Sequence, residues 1–292
     1  MSSELVVEAN GLHIWTESFG HNLHAPILLI AGAGAQSIFW EDEFCQRLAE
    51  NERFVIRFDN RDTGLSDSVD FESSPYTMND MAEDALAILD SYDLPAAHMV
   101  GASGGGLICQ VLALEHRKRV LTISALISSP LGTGSSELSN AGYGELPPPT
   151  AEFLEQLQDF VGEVPEDRDA FIDWTLRKYE VVSGSLEAFD KKARAELAEL
   201  EFARARNLQA MNNHALAVNR SPVSGRVLLG GLDVPTLVVH GTEDPLLPYA
   251  HGKAIAEIIP GAKLLTIERM GHDLPRAAWS QIIEAIVQHT AI

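Results

Sequence analysis

The sequence predicts an α/β fold: a doubly wound, mostly parallel sheet of eight strands with a helical cap inserted into it. Three observations carry this expectation. Short apolar runs of strand character alternate with amphipathic runs of helix character along most of the chain. The segment Gly101-Ala102-Ser103-Gly104-Gly105 lies where one such strand turns into a helix. Between Ser128 and Asn219 the alternation stops, and helix formers take over before the strand rhythm resumes.

The elements follow in order. Glu4 to Ala9 and His13 to Phe19 flank Asn10-Gly11, a two-residue hairpin signal that opens the sheet with an antiparallel pair. Pro26 to Ala31 (PILLIA) reads as a strand buried on both faces and ends in the small-residue loop Gly32-Ala33-Gly34-Ala35. A helix from about Glu41 to Ala49, a strand Phe54 to Phe58 and a charged turn from Asp59 to Ser66 come next. Thr77 and Asp80 form a capping-box pattern ahead of a helix with Met81, Ala85, Ile88 and Leu89 on one face. Ala97 to Val100 then reads as a strand, Leu107 to Glu115 as a helix and Leu121 to Ile127 as a sixth strand. Residues 128–150 are rich in Ser, Gly and Pro and end in Pro147-Pro148-Pro149, a stiff linker. From Thr150 to Asn219 the composition predicts helix throughout. A strand at Pro235 to His240, a helix near Pro248 to Ile259, a strand at Ala262 to Ile267 and a helix from Pro275 to Thr290 close the chain. Residues 1–130 and 230–292 are thus expected to form the core, and 131–229 a cap inserted after the sixth strand.

Composition bounds the function. The 292 residues are 46% hydrophobic and 22% charged, which is ordinary for a globular chain able to bury a large core. A formal net charge of −21 argues against nucleic acid or an anionic membrane as partner, because both would be repelled. Cys45 and Cys109 give neither a disulfide framework nor a metal-ligand spacing, and Cys109 reads as a small buried thiol. The first fifteen residues lack a basic region followed by an apolar run, and no apolar run approaches the ~20 residues needed to span a bilayer. A soluble cytoplasmic protein without metal or cofactor is expected; no P-loop or dinucleotide fingerprint is present.

Gly-x-Ser-x-Gly on a strand-to-helix junction is an elbow that exposes a serine nucleophile. A serine hydroxyl needs a base to take its proton, usually a histidine oriented by a carboxylate. Asp244, in the turn after the PTLVVH strand, fills the acid position, and Glu243 is its neighbouring competitor. His272, in Met270-Gly271-His272-Asp273 after the last strand, fills the base position. The place after Ile127, where an acid could also sit, holds Ser128-Ser129-Pro130. Two backbone N–H groups should receive the oxyanion: that of Gly104 at the helix start, and that of Ala33 between two glycines. His13, His21, His24, His98, His116 and His289 read as residues near turns or helix surfaces. His240 reads as structural, and His214 and His251 more as structural than as substrate contacts. Arg57, Asp59, Arg61 and Asp62 read as a mutually paired turn, and Met211 and Trp174 as core rather than pocket.

With these residues in view, the chain resembles the α/β-hydrolase superfamily and, within it, the aclacinomycin methylesterase group of polyketide-tailoring esterases. The resemblance lies in Asp42-Glu43-Phe44 with Arg47-Leu48-Ala49, and in Arg61-Asp62-Thr63-Gly64 with Asp70-Phe71. It extends through the elbow and from His251-Gly252-Lys253 to Met270-Gly271-His272, covering residues 1–130 and 230–292. It implies cleavage of a methyl ester, of the 15-methyl-ester type, on an aromatic polyketide, releasing methanol and a free acid. It also implies Ser103 as nucleophile, Asp244 as acid, His272 as base and Ala33 and Gly104 as oxyanion donors. Gly104 departs from the bulkier residue expected after the nucleophile, and the cap shows little similarity.

The expected activity is ester hydrolysis through an acyl-enzyme, on a small hydrophobic ester. A general carboxylesterase or lactonase, a C–C bond hydrolase and a cofactor-free haloperoxidase share the same three residues. A catalytically silent ligand receptor is the alternative outside enzymology. Epoxide hydrolases and dehalogenases use an aspartate at the elbow, and Ser103 argues against both.

Overall fold

The computed structural model describes residues 2–132, 146–160, 162–220 and 228–291. Its centre is an eight-stranded sheet in the order β1-β2-β4-β3-β5-β6-β7-β8. The strands are β1 (Ser3–Ala9), β2 (Leu12–Phe19), β3 (Ala25–Ile30), β4 (Arg53–Phe58), β5 (Ala97–Ala102), β6 (Val120–Leu126), β7 (Thr236–Gly241) and β8 (Lys263–Ile267). β2 is antiparallel to β1 and β4, and every other pairing is parallel. The Asn10-Gly11 turn has positive φ at both residues, +51° and +79°, as a type I′ hairpin requires.

Strand period sorts the core into two layers. Leu28 and Ile30 face one side with α2 (Met78–Ser91), α3 (Gly104–Glu115) and α8 (Ala250–Ile258). Ile27 and Leu29 face the other with α1 (Asp42–Ala49) and α9 (Arg276–His289). Met81, Ala85, Ile88 and Leu89 of α2 are buried together, and Asp80 accepts from the Thr77 N–H at 2.7 Å, as the capping pattern predicts. α3 begins at Gly104, directly after Ser103 and three residues earlier than its apolar run.

Between β6 and β7 stand α4 (Ala151–Leu157), α5 (Arg168–Val182), α6 (Lys191–Arg204) and α7 (Asn213–Arg220). This stretch is not helical throughout: 162–167 and 183–190 carry no α-helix. Pro165 disfavours a helical conformation at the residue before it, and Gly184 weakens a continuous helix at the α5 end. Residues 133–145, the greater part of the predicted linker, lie outside the described residues. No helix among the described residues is long and apolar enough to cross a membrane.

The chain leaves β3 toward β4 on one side and returns to β5 on the other. The carboxyl ends of β3 and β5 therefore flank a topological switch point, the crevice where open α/β sheets bind ligands. Ser103 and the Gly32–Ala35 loop both lie there.

Candidate active site

Ser103 occupies a backbone position that few non-glycine residues adopt, with φ +51° and ψ −118°. Its surroundings hold it there. The Ser103 N–H donates to Leu126 O at 2.9 Å, and Ser103 O accepts from Gly106 N (2.9 Å) and Ser128 Oγ (2.8 Å). Strain fixed by three hydrogen bonds aims the side chain instead of letting it relax. Ser128, from the loop with no carboxylate, thus supports the elbow.

His272 Nε2 lies 3.0 Å from Ser103 Oγ, and its Nδ1 lies 2.8 Å from Asp244 Oδ2. The carboxylate fixes the tautomer: Nδ1–H donates to Asp244, which leaves Nε2 to accept from the serine hydroxyl. The Asp244 side chain is fully enclosed, and its other oxygen accepts from Leu246 N (3.0 Å) and Leu247 N (2.7 Å). Burial opposes its ionisation, but the His272 and His240 imidazoles outweigh that and hold its carboxyl well below the usual range. Its neighbour Glu243 turns away and accepts from Ser185 N and Oγ at 2.8 and 3.0 Å. The histidine loop is held by the end of α5, where the His272 N–H donates to Val182 O at 2.7 Å. A Cβ on Gly271 would lie 2.2 Å from that same oxygen, so only glycine permits the approach.

The two predicted oxyanion donors are adjacent. A Cβ on Gly104 would come within 3.0 Å of Ala33 N, so the unusual glycine keeps the space beside that amide open. The Ala33 N–H donates to none of the described residues. Its loop is fixed from below by His214 of α7, which is 1% exposed. His214 Nδ1 accepts from Gly34 N at 2.8 Å, and Nε2–H donates to Arg61 O at 2.7 Å.

A cavity of about 620 Å³ opens on Ser103, His272, Ala33 and Gly104. Its wall is mainly aromatic and aliphatic, with Phe153, Phe160, Phe171, Trp174 and Met211. Trp174 and Met211, expected as core, line it. The α5 stripe Phe171, Trp174, Thr175, Lys178 and Val182 faces it throughout, and Lys178 and Thr175 were missed from sequence. Their signal was the i, i+3/i+4, i+7 spacing, which does not separate a cavity wall from a core face. His214 and His251 do not line it. His251 is buried against Ser129 Oγ (2.8 Å) and Pro147 O (2.9 Å), and His240 lies 2.8 Å from Leu247 O.

Two expectations are corrected. Arg57, Asp59, Arg61 and Asp62 do not pair with one another, because successive residues at the end of β4 point to different neighbours. Arg57 pairs with Glu17 and Asp42, Arg61 with Asp84, and Asp59 with Arg204 of α6 at 2.7 Å. Asp62 accepts from Tyr76 Oη and Asn213 Nδ2 at 2.5 and 3.0 Å. His98 and His289 are not surface residues: Thr122 Oγ1 and the Ile123 carbonyl give each a buried partner at 3.0 Å.

The sheet order, the serine elbow and the hydrogen-bonded histidine together define a class. The chain belongs to the α/β-hydrolase family, whose alpha/beta hydrolase fold profile matches residues 25–275. It is similar to the rhodomycin D methylesterase DauP of Streptomyces sp. (strain C5), with 35% identity over 95% of this chain and 94% of that one. The rhodomycin D methylesterase DnrP of Streptomyces peucetius is 34% identical over the same shares. Among solved structures, an esterase from Exiguobacterium antarcticum superposes with a TM-score of 0.79 at 22% identity, over 99% of this chain and 100% of that one. The enol-lactonase from Burkholderia xenovorans LB400 gives 0.77 at 18%, over 99% and 100%. These two likenesses concern the fold alone.

Proposed function

We propose that this hydrolase cleaves the methyl ester of an aromatic polyketide, with Ser103 as nucleophile, His272 as base and Asp244 as the acid that orients it. The observation that carries the reading is the unbroken chain Ser103 Oγ–His272–Asp244, with contacts of 3.0 and 2.8 Å, at the floor of an aromatic cavity. The likeness to two rhodomycin D methylesterases supports the substrate class.

Ser103 Oγ attacks the ester carbonyl while its proton passes to His272 Nε2. The carbonyl oxygen becomes an oxyanion facing the Ala33 and Gly104 N–H groups, the latter at the positive end of α3. Asp244 stabilises the imidazolium. As the C–O bond breaks, His272 gives its proton to the departing alkoxide, which leaves as methanol, and the acyl group stays on Ser103. Water, giving its proton to His272, then attacks the acyl carbon. Collapse breaks the bond to Ser103, returns the proton to its oxygen and releases the acid. Residues 131–229 act as the cap that selects the ester.

The test is initial rates over an ester panel, with Ser103→Ala as the blank. The panel holds short and long p-nitrophenyl esters, a lactone and an anthraquinone-type methyl ester. The expected outcome is preference for the aromatic methyl ester and a loss of several orders of magnitude in Ser103→Ala. Broad cleavage of short esters with no such preference removes the tailoring reading, and near-wild-type turnover in Ser103→Ala removes the nucleophile.

A further inference from the structure

The cavity wall carries a cation that ester cleavage does not use. Lys178 lies on the α5 stripe facing the cavity, half-buried, with Nζ 5.0 Å from the centre of the Trp174 ring. Among the described residues it has no hydrogen bond, and no carboxylate stands within ion-pairing distance. The nearby carboxylate, Glu201, is committed to Arg194 at 2.6 Å, and the Arg194 guanidinium stacks on Tyr179. One turn before Lys178, Thr175 is 2% exposed and lines the cavity, and its Oγ1 has no partner among the described residues. Buried polar groups are nearly always satisfied, so two open donors on one stripe want an acceptor from outside the chain.

The surroundings narrow what that acceptor is. Phe160, Phe171 and Trp174 flank the two donors, and a flat aromatic surface fits such a wall. An ammonium in this setting is costly: burial and the Arg194 charge push the Lys178 pKa down, and Glu201 offsets this only in part. An oxygen carrying negative charge would relieve that cost; a plain hydrocarbon would not.

We propose that Lys178 and Thr175 form a subsite for an acidic ring hydroxyl, a phenol or enol conjugated to a carbonyl, on the aromatic part of the substrate. This deepens the methyl-ester reading and rests on it for the identity of the scissile group. Lys178 here determines specificity: it holds the phenolate form, and Thr175 donates to the neighbouring carbonyl oxygen.

The test uses alizarin (1,2-dihydroxyanthraquinone), whose colour reports ionisation of its phenol. It carries no ester, so binding is read without turnover. The dye is titrated with pH on wild type, Lys178→Met and Lys178→Arg, with thermal melts confirming that each variant is folded. The expected result is that dye bound to wild type ionises about one pH unit lower than dye bound to Lys178→Met, and binds about tenfold more tightly. Lys178→Arg should restore most of both effects. Equal midpoints and affinities in wild type and Lys178→Met, or no binding by wild type, overturn the subsite. A lysine that merely packs on Trp174 moves the melting temperature but not the midpoint of the dye. Failure of the ester panel with a shifted dye midpoint overturns the esterase reading and leaves the subsite standing.

Discussion

Asp273 follows His272 in sequence but has a different electrostatic fate from Asp244. Its Oδ2 accepts from Ser183 Oγ at 2.9 Å, while its Oδ1 is buried without a partner among the described residues. Burial, with smaller contributions from Glu187 and Asp244, pushes its carboxyl up to about 6, against the Ser183 hydrogen bond and the His272 charge. A carboxyl whose folded pKa lies above its unfolded value of 3.8 contributes stability that is complete below 3.8 and lost as pH rises through about 6. Asp273→Asn keeps the Ser183 contact and removes the charge. Its melting temperature should exceed that of wild type at pH 8 by several degrees, because a rise of about two pKa units corresponds to roughly 2–3 kcal/mol. At pH 5, between the two pKa values, about half of the gain should vanish, and a gain equal at both pH values would show that the buried charge is not its cause. The sequence marks Asp273 only as the residue after His272; its enclosure depends on Ser183, ninety positions away. The elbow, by contrast, was legible because its whole grammar is local, from Gly101 to Gly105.

At the scale of elements, α7 reaches into the core to hold the loop that carries Ala33. His214 does this as one acceptor and one donor, toward Gly34 N and Arg61 O, and burial lowers its pKa, so the ring stays neutral and keeps both polarities. His214→Gln retains an acceptor and a donor on one side chain and should keep most of the turnover. His214→Leu leaves Gly34 N–H unpaired and frees the loop. It should lower kcat by about 10- to 100-fold, less than the roughly 100- to 1000-fold that outright loss of an oxyanion donor costs, with a smaller change in KM. Equal rates for the Gln and Leu variants would reduce His214 to a packing residue. The sequence alone does not single out His214, because a lone histidine on a helix has many structural uses and its partners come from two loops far upstream. The strands and the α2 face were legible for the opposite reason: periods of 2 and 3.6 are written within single elements. Charges at the end of β4 read as mutual pairs in the sequence because their true partners, such as Arg204 for Asp59, arrive only with the fold.

Across the whole molecule, charge sets how stability responds to salt. Forty-two acidic against 21 basic side chains leave −21, and this surplus repels itself more strongly folded than unfolded. Opposing it are ion pairs such as Arg276–Glu41, Arg117–Asp233 and Arg168–Glu199, which lie at the surface and are individually worth little. The enclosed pairs of Arg57 with Glu17 and of Arg61 with Asp84 are screened far less by added salt. Screening therefore weakens the repulsion more than it weakens the attraction that holds the fold. Raising sodium chloride from about 10 mM to about 0.5 M shortens the screening length from roughly 30 Å to below 8 Å. The melting temperature should climb by several degrees over that range. Sodium chloride is the salt to use, because sulfate would add an excluded-surface effect of its own. A flat or falling melting temperature would mean that the surface pairs carry more of the stability than their exposure suggests.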